Sequence, residues 1–269
     1  MDSITKALFQ SILHGPVLVG DLPEAPVFDR DRLAMPVEAP PLDLEQKLGH
    51  LFEDALAALF EHSEAFEISQ RNLQLQPDAQ TTLGELDFVI RDRRDGGLVH
   101  LELATKFYLS IETEDGYQFP GPDPSDNYDN KIRRLRSHQL QLPALHPTTL
   151  PEALQEGPLV TRQLVFGALF DSIHSPRRAS PDFIHPACRR GRWLRLSECD
   201  EFLGADAKLE LIPKHLWSTP FDLLGEIPLT LWKTPAALER CVMLRVDGGN
   251  EPFFVVPAHY PDTQAPRLA

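Results

Sequence analysis

Two β-rich stretches separated by a glycine turn constrain the fold of this chain more than any other feature. Residues 86–91 and residues 98–108 are mainly apolar, and Asp95-Gly96-Gly97 separates them. Two such runs joined by a short glycine-containing loop are typical of a β-hairpin. Side chains alternate between the two faces of a strand. Asp87 and Glu102 are therefore expected to become neighbours where the hairpin brings their faces together.

The polar positions on this hairpin form a candidate cation site. Glu85 shares the face of Asp87, while Ala104 and Lys106 share the face of Glu102. Two adjacent carboxylates repel each other unless a proton or a cation lies between them. Magnesium prefers a few carboxylate oxygens and keeps several waters, so the pair is a candidate site for Mg²⁺ or Mn²⁺. The alternative is an acidic strand face exposed to water, which is common when only one face of a sheet is buried.

A helix upstream of the hairpin supplies a third carboxylate. Residues 44–62 carry leucine and phenylalanine at three- and four-residue intervals, which predicts an amphipathic helix. Asp43 and Gln46 are spaced like a capping box at its start. Glu53 lies at the border of the apolar stripe, so its carboxylate is expected to point onto the sheet and complete the acidic site.

The remaining pattern predicts an α/β protein with three parts. Strands are expected over residues 66–75 and 159–170 and in a C-terminal hairpin of residues 242–246 and 253–257, and a helix is expected over residues 129–142, ended by Pro143. Residues 1–43 are interpreted as an irregular proline-rich leader that includes a short helix, residues 44–175 as the core, and residues 176–269 as a C-terminal extension packed on the core.

The order of these motifs resembles the PD-(D/E)XK nuclease superfamily. The matching segments are Gly49-His50-Leu51-Phe52-Glu53, Gly84-Glu85-Leu86-Asp87-Phe88 and His100-Leu101-Glu102-Leu103-Ala104-Thr105-Lys106. The resemblance covers roughly residues 44–142 and implies a restriction-endonuclease-like core of helix, mixed β-sheet with hairpin, and helix. It also implies that Glu53, Asp87 and Glu102 are metal ligands and that Asp87, Glu102 and a nearby lysine are catalytic.

The lysine departs from the superfamily pattern. It normally follows the glutamate by two residues, where this chain has Ala104. Lys106 lies on the same face about 6.6 Å further along an ideal strand. On the resemblance, Lys106 is expected to stabilise charge on phosphate oxygens while the metal activates a water. The alternatives for Lys106 are a surface lysine or an ion-pair partner of Glu102.

A wider set of segments is similar to a bacterial family of unknown function that is grouped with these nucleases by fold. The segments are Glu102-Leu103-Ala104-Thr105-Lys106-Phe107-Tyr108-Leu109, Gly121-Pro122, His138-Gln139-Leu140, Phe254-Val255-Val256-Pro257 and Tyr260-Pro261. This similarity implies a fold and an ancestry but no established reaction.

The charge of the chain bears on its partners. The formal net charge is −14, from 40 acidic and 26 basic residues, whereas proteins that grip a long duplex usually present a basic surface. Basic residues do cluster over residues 131–136, and Lys131, Arg134 and Gln139 are expected to contact a phosphate backbone. The leading hypothesis is a magnesium-dependent nuclease with nucleic acid as its partner. The alternatives are a degenerate nuclease fold kept as a binding or assembly module, and a ligand-binding protein unrelated to phosphodiester chemistry.

Several other polar residues are interpreted as structural. His50, His100 and His138 are expected to be surface or packing histidines, although His100 shares the face of Glu102. Asp126 and Asn127 are expected to cap the helix that follows them. Among the tryptophans, only Trp193 has neighbouring arginines that would suit base stacking, and packing in the core is the favoured role for all three.

Composition narrows the cellular setting. The three cysteines, Cys188, Cys199 and Cys241, are scattered and have no CxxC spacing, which favours idle thiols in a reducing cytoplasm over disulfides or zinc. No apolar run reaches the roughly 18–20 residues that span a bilayer, and the N-terminus lacks the pattern of a secretory signal. A cytoplasmic protein without membrane contact is therefore expected. The oligomeric state cannot be read from the sequence.

Overall fold

A computed structural model describes residues 1–38, 40–155, 157–175, 178–204, 206–249 and 251–262 of the chain. The strands are β1 Phe66–Leu75, β2 Gly84–Asp92, β3 Leu98–Thr113, β4 Gly116–Gln118, β5 Leu159–Ser172, β6 Arg189–Arg195, β7 Leu209–Ile212, β8 Thr230–Leu231, β9 Val242–Val246 and β10 Phe253–Val256. The α-helices are α1 Ser3–His14, α2 Leu48–Glu61, α3 Tyr128–Ser137, α4 Leu142–Leu145, α5 Cys199–Leu203 and α6 Phe221–Leu224.

The strands form a single mixed sheet in the part of the chain that the structure describes. Its order is β1-β2-β3-β5-β6-β10-β9-β7-β8, and β4 pairs with the end of β3. Strands β1, β2 and β3 are antiparallel neighbours, as are β10, β9, β7 and β8, whereas the central strands β3, β5, β6 and β10 run parallel. The predicted α/β class is confirmed at this level. Residues after 175 extend the sheet from β5 by way of β6.

Each face of the sheet beside the hairpin is covered by helices. On one face, Phe52 and Phe60 of α2 pack with Phe9 of α1 against Phe88 and Leu101. On the other face, Tyr128, Ile132 and Leu135 of α3 pack against Tyr108 and Val165. Strand β3 is therefore buried on both faces. The face that carries Glu102 and Lys106 is the one turned towards α3.

The hairpin and the predicted strands over residues 66–75 and 159–170 are confirmed, with bounds close to the expected ones. Strand β3 continues to Thr113, beyond the predicted residue 108, because it pairs with β5 as far as Ser110 and with β4 over residues 111–113. The C-terminal hairpin is also confirmed, since β10 pairs antiparallel with β9. Residues 116–118 form a short strand, β4, which no sequence pattern predicted.

The start of α2 differs from the prediction. The helix begins at Leu48, with Lys47 as its N-cap residue and no side-chain capping bond. Asp43 instead accepts a hydrogen bond from the backbone N–H of Glu45 in a preceding turn. The side chain of Gln46 donates to Asp54 Oδ2 at 2.7 Å rather than back to the chain before it. The capping-box prediction was wrong because both side chains make other hydrogen bonds, Asp43 with Glu45 and Gln46 with Asp54.

The predicted helix over residues 129–142 is broken in two. Helix α3 ends at Ser137, His138 leaves helical geometry at φ −133° and ψ −69°, and a 3₁₀ turn of Gln139–Gln141 leads into α4. Pro143 lies at the start of α4 rather than ending a helix. Proline is tolerated there because the first turn of a helix has no intrahelical partner for its N–H.

The remaining structural interpretations mostly agree with the coordinates. Cys188, Cys199 and Cys241 are buried free thiols. Trp193 and Trp217 are buried, and the indole N–H of Trp193 donates to the carbonyl oxygen of Ser110 at 3.0 Å. A tryptophan held in this way is a packing residue and is not available to stack on a base. Across the described ranges, no helix has the length and apolarity needed to cross a membrane.

Candidate active site

The site is built where the hairpin of β2 and β3 opens. The ladder ends with the pair Phe88 and Leu101, and one step further in the same antiparallel register Asp87 comes opposite Glu102. There, Asp87 Oδ2 accepts a hydrogen bond from the backbone N–H of Leu103 at 2.7 Å. The aspartate thus takes the place of a backbone partner at the end of the ladder. This bond holds the Asp87 carboxylate against the strand that carries Glu102.

Glu102 is almost completely buried, at 2% exposure, and each of its oxygens has a partner. Oε1 lies 2.9 Å from Nε2 of His100, and Oε2 accepts from the side-chain amide of Gln139 at 3.2 Å. An ionised carboxylate only accepts hydrogen bonds, so the Nε2 of His100 must carry a proton. Buried charges are otherwise costly, and these two bonds compensate part of that cost. His100 is therefore not a surface histidine but a fully buried support of Glu102.

The environment of Asp87 disfavours its ionised form. Burial, followed by the charge of Glu102, raises the pKa of Asp87 to about 8, with a smaller contribution from the charge of Glu53. The hydrogen bond from Leu103 and the charge of Lys131 act in the opposite direction. The antiparallel register brings the two carboxylates opposite each other, and burial limits the screening of their repulsion by water. Such a pair favours either a shared proton or a cation.

Lys131 is the lysine whose charge acts on this pair. It comes from α3, and its Nζ donates to Oε1 of Gln139 at 2.9 Å. Burial lowers the pKa of Lys131, the positive charge of Lys106 lowers it further, and the charges of Glu102 and Asp87 raise it. Lys131 therefore lies within the electrostatic reach of both carboxylates. Gln139 connects Lys131 to Glu102, and its predicted contact with substrate stays a prediction.

Lys106 has a different partner. Its Nζ donates to Oδ2 of Asp126 at 2.6 Å, and both side chains are 32% exposed. Asp126 was expected to cap α3, but Asn127 alone does so, by accepting from the backbone N–H groups of Asp129 and Asn130. Asp126 is a residue that sequence reasoning placed in the wrong role, because it lies 20 positions after Lys106 in the sequence and no local pattern connects the two.

Glu53 and Arg134 were also predicted to belong to the site. The carboxylate of Glu53 is 3.4 Å from Nδ1 of His50, and its charge contributes to the raised pKa of Asp87 after burial and the charge of Glu102. Arg134 is exposed on α3 and lines a shallow surface depression of about 450 Å³ together with Arg133 and His138. Glu85 is partly exposed, within 3.4 Å of the side-chain amide of Gln74. The predicted roles of Glu53 and Arg134 stay predictions.

The residues present suit a metal ion held by two carboxylates. Within the described residues, no group of three or more histidine, cysteine, aspartate or glutamate side chains is arranged to hold an ion. The predicted roles of Glu53, Asp87 and Glu102 as metal ligands stay predictions. Magnesium is commonly bound through one or two carboxylates, with waters and substrate phosphates completing its shell. The donor set of Asp87 and Glu102 fits that chemistry, with Oδ1 of Asp87 as the less engaged oxygen.

Comparisons with known proteins identify a family but no relative of known activity. Neither a search of curated proteins nor a search of solved structures found a match. A family model described as "Domain of unknown function (DUF1853)" matches residues 27–240, which include all of the elements that form the site. The match spans most of the chain and agrees with the predicted membership in a family of unknown function. The chain therefore belongs to the DUF1853 family.

Proposed function

We propose that this protein is a magnesium- or manganese-dependent phosphodiesterase that acts on nucleic acid. We further propose that its sheet and flanking helices are a restriction-endonuclease-like core of the PD-(D/E)XK type and that it works in the cytoplasm, where its thiols stay reduced. The observation that carries the proposal is the strand register that brings Asp87 opposite Glu102, where two negative charges are disfavoured unless a cation is present. Acidic residues on adjacent strands, with a lysine beside them, are the donor set that such hydrolysis requires.

The residues of the chain have separate roles in this proposal. Asp87 and Glu102 hold the ion, and His100 and Gln139 hold Glu102 in place. A bound divalent ion lowers the pKa of a coordinated water and polarises the phosphate. In the hydrolysis, the oxygen of water forms a bond to phosphorus, the P–O ester bond breaks, and the proton of water passes by way of solvent to the leaving oxygen. A lysine near the carboxylates stabilises the charge that develops on the phosphate oxygens.

A binding or assembly module that has lost catalysis is the second candidate. Two observations favour it: the net charge is −14, which opposes phosphate binding, and Lys106 is paired with Asp126. In that case the carboxylates persist as a buried proton-sharing pair. The two candidates differ in whether nucleic acid is cut when metal is present.

Titration calorimetry with MnCl₂ tests the metal site directly. We expect one ion to bind the wild type, and Asp87→Asn and Glu102→Gln each to abolish binding, because each removes one of only two carboxylates. Glu85→Gln is the matched control, since it makes the same chemical change on the same strand at a partly exposed residue. Absence of binding to the wild type, or loss of binding in the control alone, would refute the metal site.

Cleavage assays then separate enzyme from module. Single-stranded, duplex and structured DNA and RNA are incubated with the wild type and Mg²⁺ or Mn²⁺, with Asp87→Asn as the inactive control. Metal-dependent cleavage that is lost in Asp87→Asn supports the enzyme. Metal binding without cleavage of any of these substrates would favour the module.

A further inference from the structure

Two lysines approach the carboxylate pair, and their surroundings differ. Lys106 projects from β3 and makes a 2.6 Å ion pair with Asp126. Lys131 projects from α3 and donates to the neutral amide oxygen of Gln139 at 2.9 Å. An ion pair offsets the charge of Lys106 locally, whereas an amide leaves the full charge of Lys131 uncompensated by its nearest partner. The charges of Glu102 and Asp87 raise the pKa of Lys131, and Gln139 bridges its ammonium group to Glu102.

Gln139 fixes the position of Lys131 relative to Glu102. Its amide nitrogen donates to Glu102 Oε2 at 3.2 Å, and its amide oxygen accepts from Lys131. The orientation of this amide is set by chemistry, because a carboxylate only accepts hydrogen bonds and an ammonium only donates them. Gln139 can therefore satisfy both neighbours in only one of its two orientations.

The break after α3 makes this bridge feasible. In a continuous helix, residues eight apart are separated by about 12 Å along the axis. The chain leaves the helix at His138, and the 3₁₀ turn that follows lies against β2, β3 and β5. Gln139 is thereby turned onto Glu102 while Lys131 stays on the last two turns of α3.

We propose that Lys131, held by Gln139, is the cation that acts at the Asp87–Glu102 pair, and that Lys106 is a structural partner of Asp126. This inference rests on the proposed function and names the residue that would stabilise charge on the scissile phosphate. It places the phosphate between β3 and α3, beside the helix whose exposed face carries Arg133 and Arg134. Gln139 is a positioning residue, because it contacts Glu102 and Lys131 rather than the reacting atoms.

The affinity for Mn²⁺ tests the assignment without relying on activity. Lys131→Met removes a positive charge beside the carboxylates, so we expect Mn²⁺ to bind about tenfold more tightly by calorimetry. Lys106→Met removes a charge that Asp126 already offsets, so the affinity of this variant for Mn²⁺ should differ from that of the wild type by less than about threefold. Methionine keeps most of the length of the lysine stem in both variants, and circular dichroism checks that both fold.

Cleavage rates supply the second readout. We expect Lys131→Met to lower kcat/KM about 10²- to 10³-fold, the usual loss when one charge-stabilising group is removed, and Lys106→Met to lower it less than tenfold. Gln139→Met should cost activity in the wild-type background but little in the Lys131→Met background, because it acts through that lysine. A purely structural role for Gln139 predicts additive losses instead.

The outcomes separate this inference from the proposed function. A wild type that does not bind Mn²⁺ overturns both. A wild type that binds Mn²⁺ while Lys131→Met leaves the affinity unchanged, or while Lys106→Met produces the larger change, overturns the inference alone. Tighter Mn²⁺ binding to Lys131→Met supports the inference even where no substrate is cut.

Discussion

Replacement of Asp87 by asparagine should stabilise the metal-free protein while it destroys the metal site. The carboxyl group has a pKa of about 8 in the folded chain, raised by burial and by Glu102. In the unfolded chain an aspartate has a pKa of about 3.9. Between these two values the unfolded state is ionised and the folded state holds a proton on Asp87. The free energy of unfolding therefore decreases as the pH rises, and the decrease ends once the pH passes the pKa of Asp87 in the folded state.

The size of the effect follows from one proton. Each pH unit between the two pKa values changes the free energy of unfolding by about 1.4 kcal/mol. At pH 7 the free energy of unfolding of the wild type should be lower by on the order of 4 kcal/mol than that of a chain with a neutral group at this position. From about pH 6 to about pH 8 it should fall by about 2 kcal/mol, because Asp87 in the folded state begins to ionise near its pKa and the dependence on pH becomes weaker.

Asparagine is suited to this test because it preserves the local geometry. Its side-chain oxygen can still accept from the N–H of Leu103, and its amide nitrogen can face Glu102 as a donor. Only the ionisable proton is removed. Urea unfolding of the wild type and Asp87→Asn in EDTA, at about pH 6, 7 and 8, gives the difference directly. The matched control is again Glu85→Gln.

The result that would refute this reasoning is a constant difference. If the free energies of unfolding of wild type and Asp87→Asn stay parallel from about pH 6 to about pH 8, Asp87 does not hold a proton in the folded state. The buried carboxylate pair, on which the proposed function depends, would then not exist as described. Addition of Mn²⁺ should raise the stability of the wild type and leave Asp87→Asn unaffected, since only a ligand that binds the folded state stabilises it.

Two further predictions concern the scaffold. Gly167 has φ +136°, and a Cβ at this position would overlap the backbone carbonyl oxygen of Lys106. Gly167→Ala should therefore lower the free energy of unfolding by on the order of 3 kcal/mol or more, measured by urea unfolding. A decrease below about 1 kcal/mol would show that β3 and β5 can separate at this point. Arg245 is buried and donates to Glu210 at 2.6 Å and to the backbone carbonyls of Leu224 and Ile227. Arg245→Met should lower the free energy of unfolding by about 3–5 kcal/mol in the same assay, because it leaves the Glu210 carboxylate and two carbonyls without their donor. If Glu210→Gln in the Arg245→Met background restores stability, the unpaired charge is the cause.

The elements that sequence reasoning identified correctly are those with strong local signals. The hairpin around Asp95-Gly96-Gly97 combines two periodic strands with a turn that favours glycine, and its register follows from the turn. Side-chain alternation predicts that Asp87 and Glu102 become neighbours where the hairpin brings their faces together, and the observed register puts them opposite each other. The alternation of side chains along β3 also placed His100 on the same face as Glu102, although it did not show that the two are in contact.

Errors arose where a nonlocal partner competed with a local one. Asp43 and Gln46 have the spacing of a capping box, but Gln46 bonds Asp54 instead. Asp126 precedes a helix and was expected to cap it, but Lys106 offers an ion pair from a strand 20 residues away. Helical periodicity continues through residues 129–142, so it gave no sign that His138 interrupts the helix. Side-chain hydrogen bonds of this kind depend on packing that periodicity does not encode.

By itself, then, the sequence determined the α/β class, the strands that carry the acidic residues and the pairing of Asp87 with Glu102. These depend on turn chemistry and side-chain alternation, which act over a few residues. Tertiary structure decided that Lys106 pairs with Asp126, that Lys131 donates to Gln139, and that His100 and Gln139 hold Glu102. Those relations depend on where α2 and α3 pack on opposite faces of the sheet, and burial then sets the electrostatics, because charges interact strongly only where water is excluded.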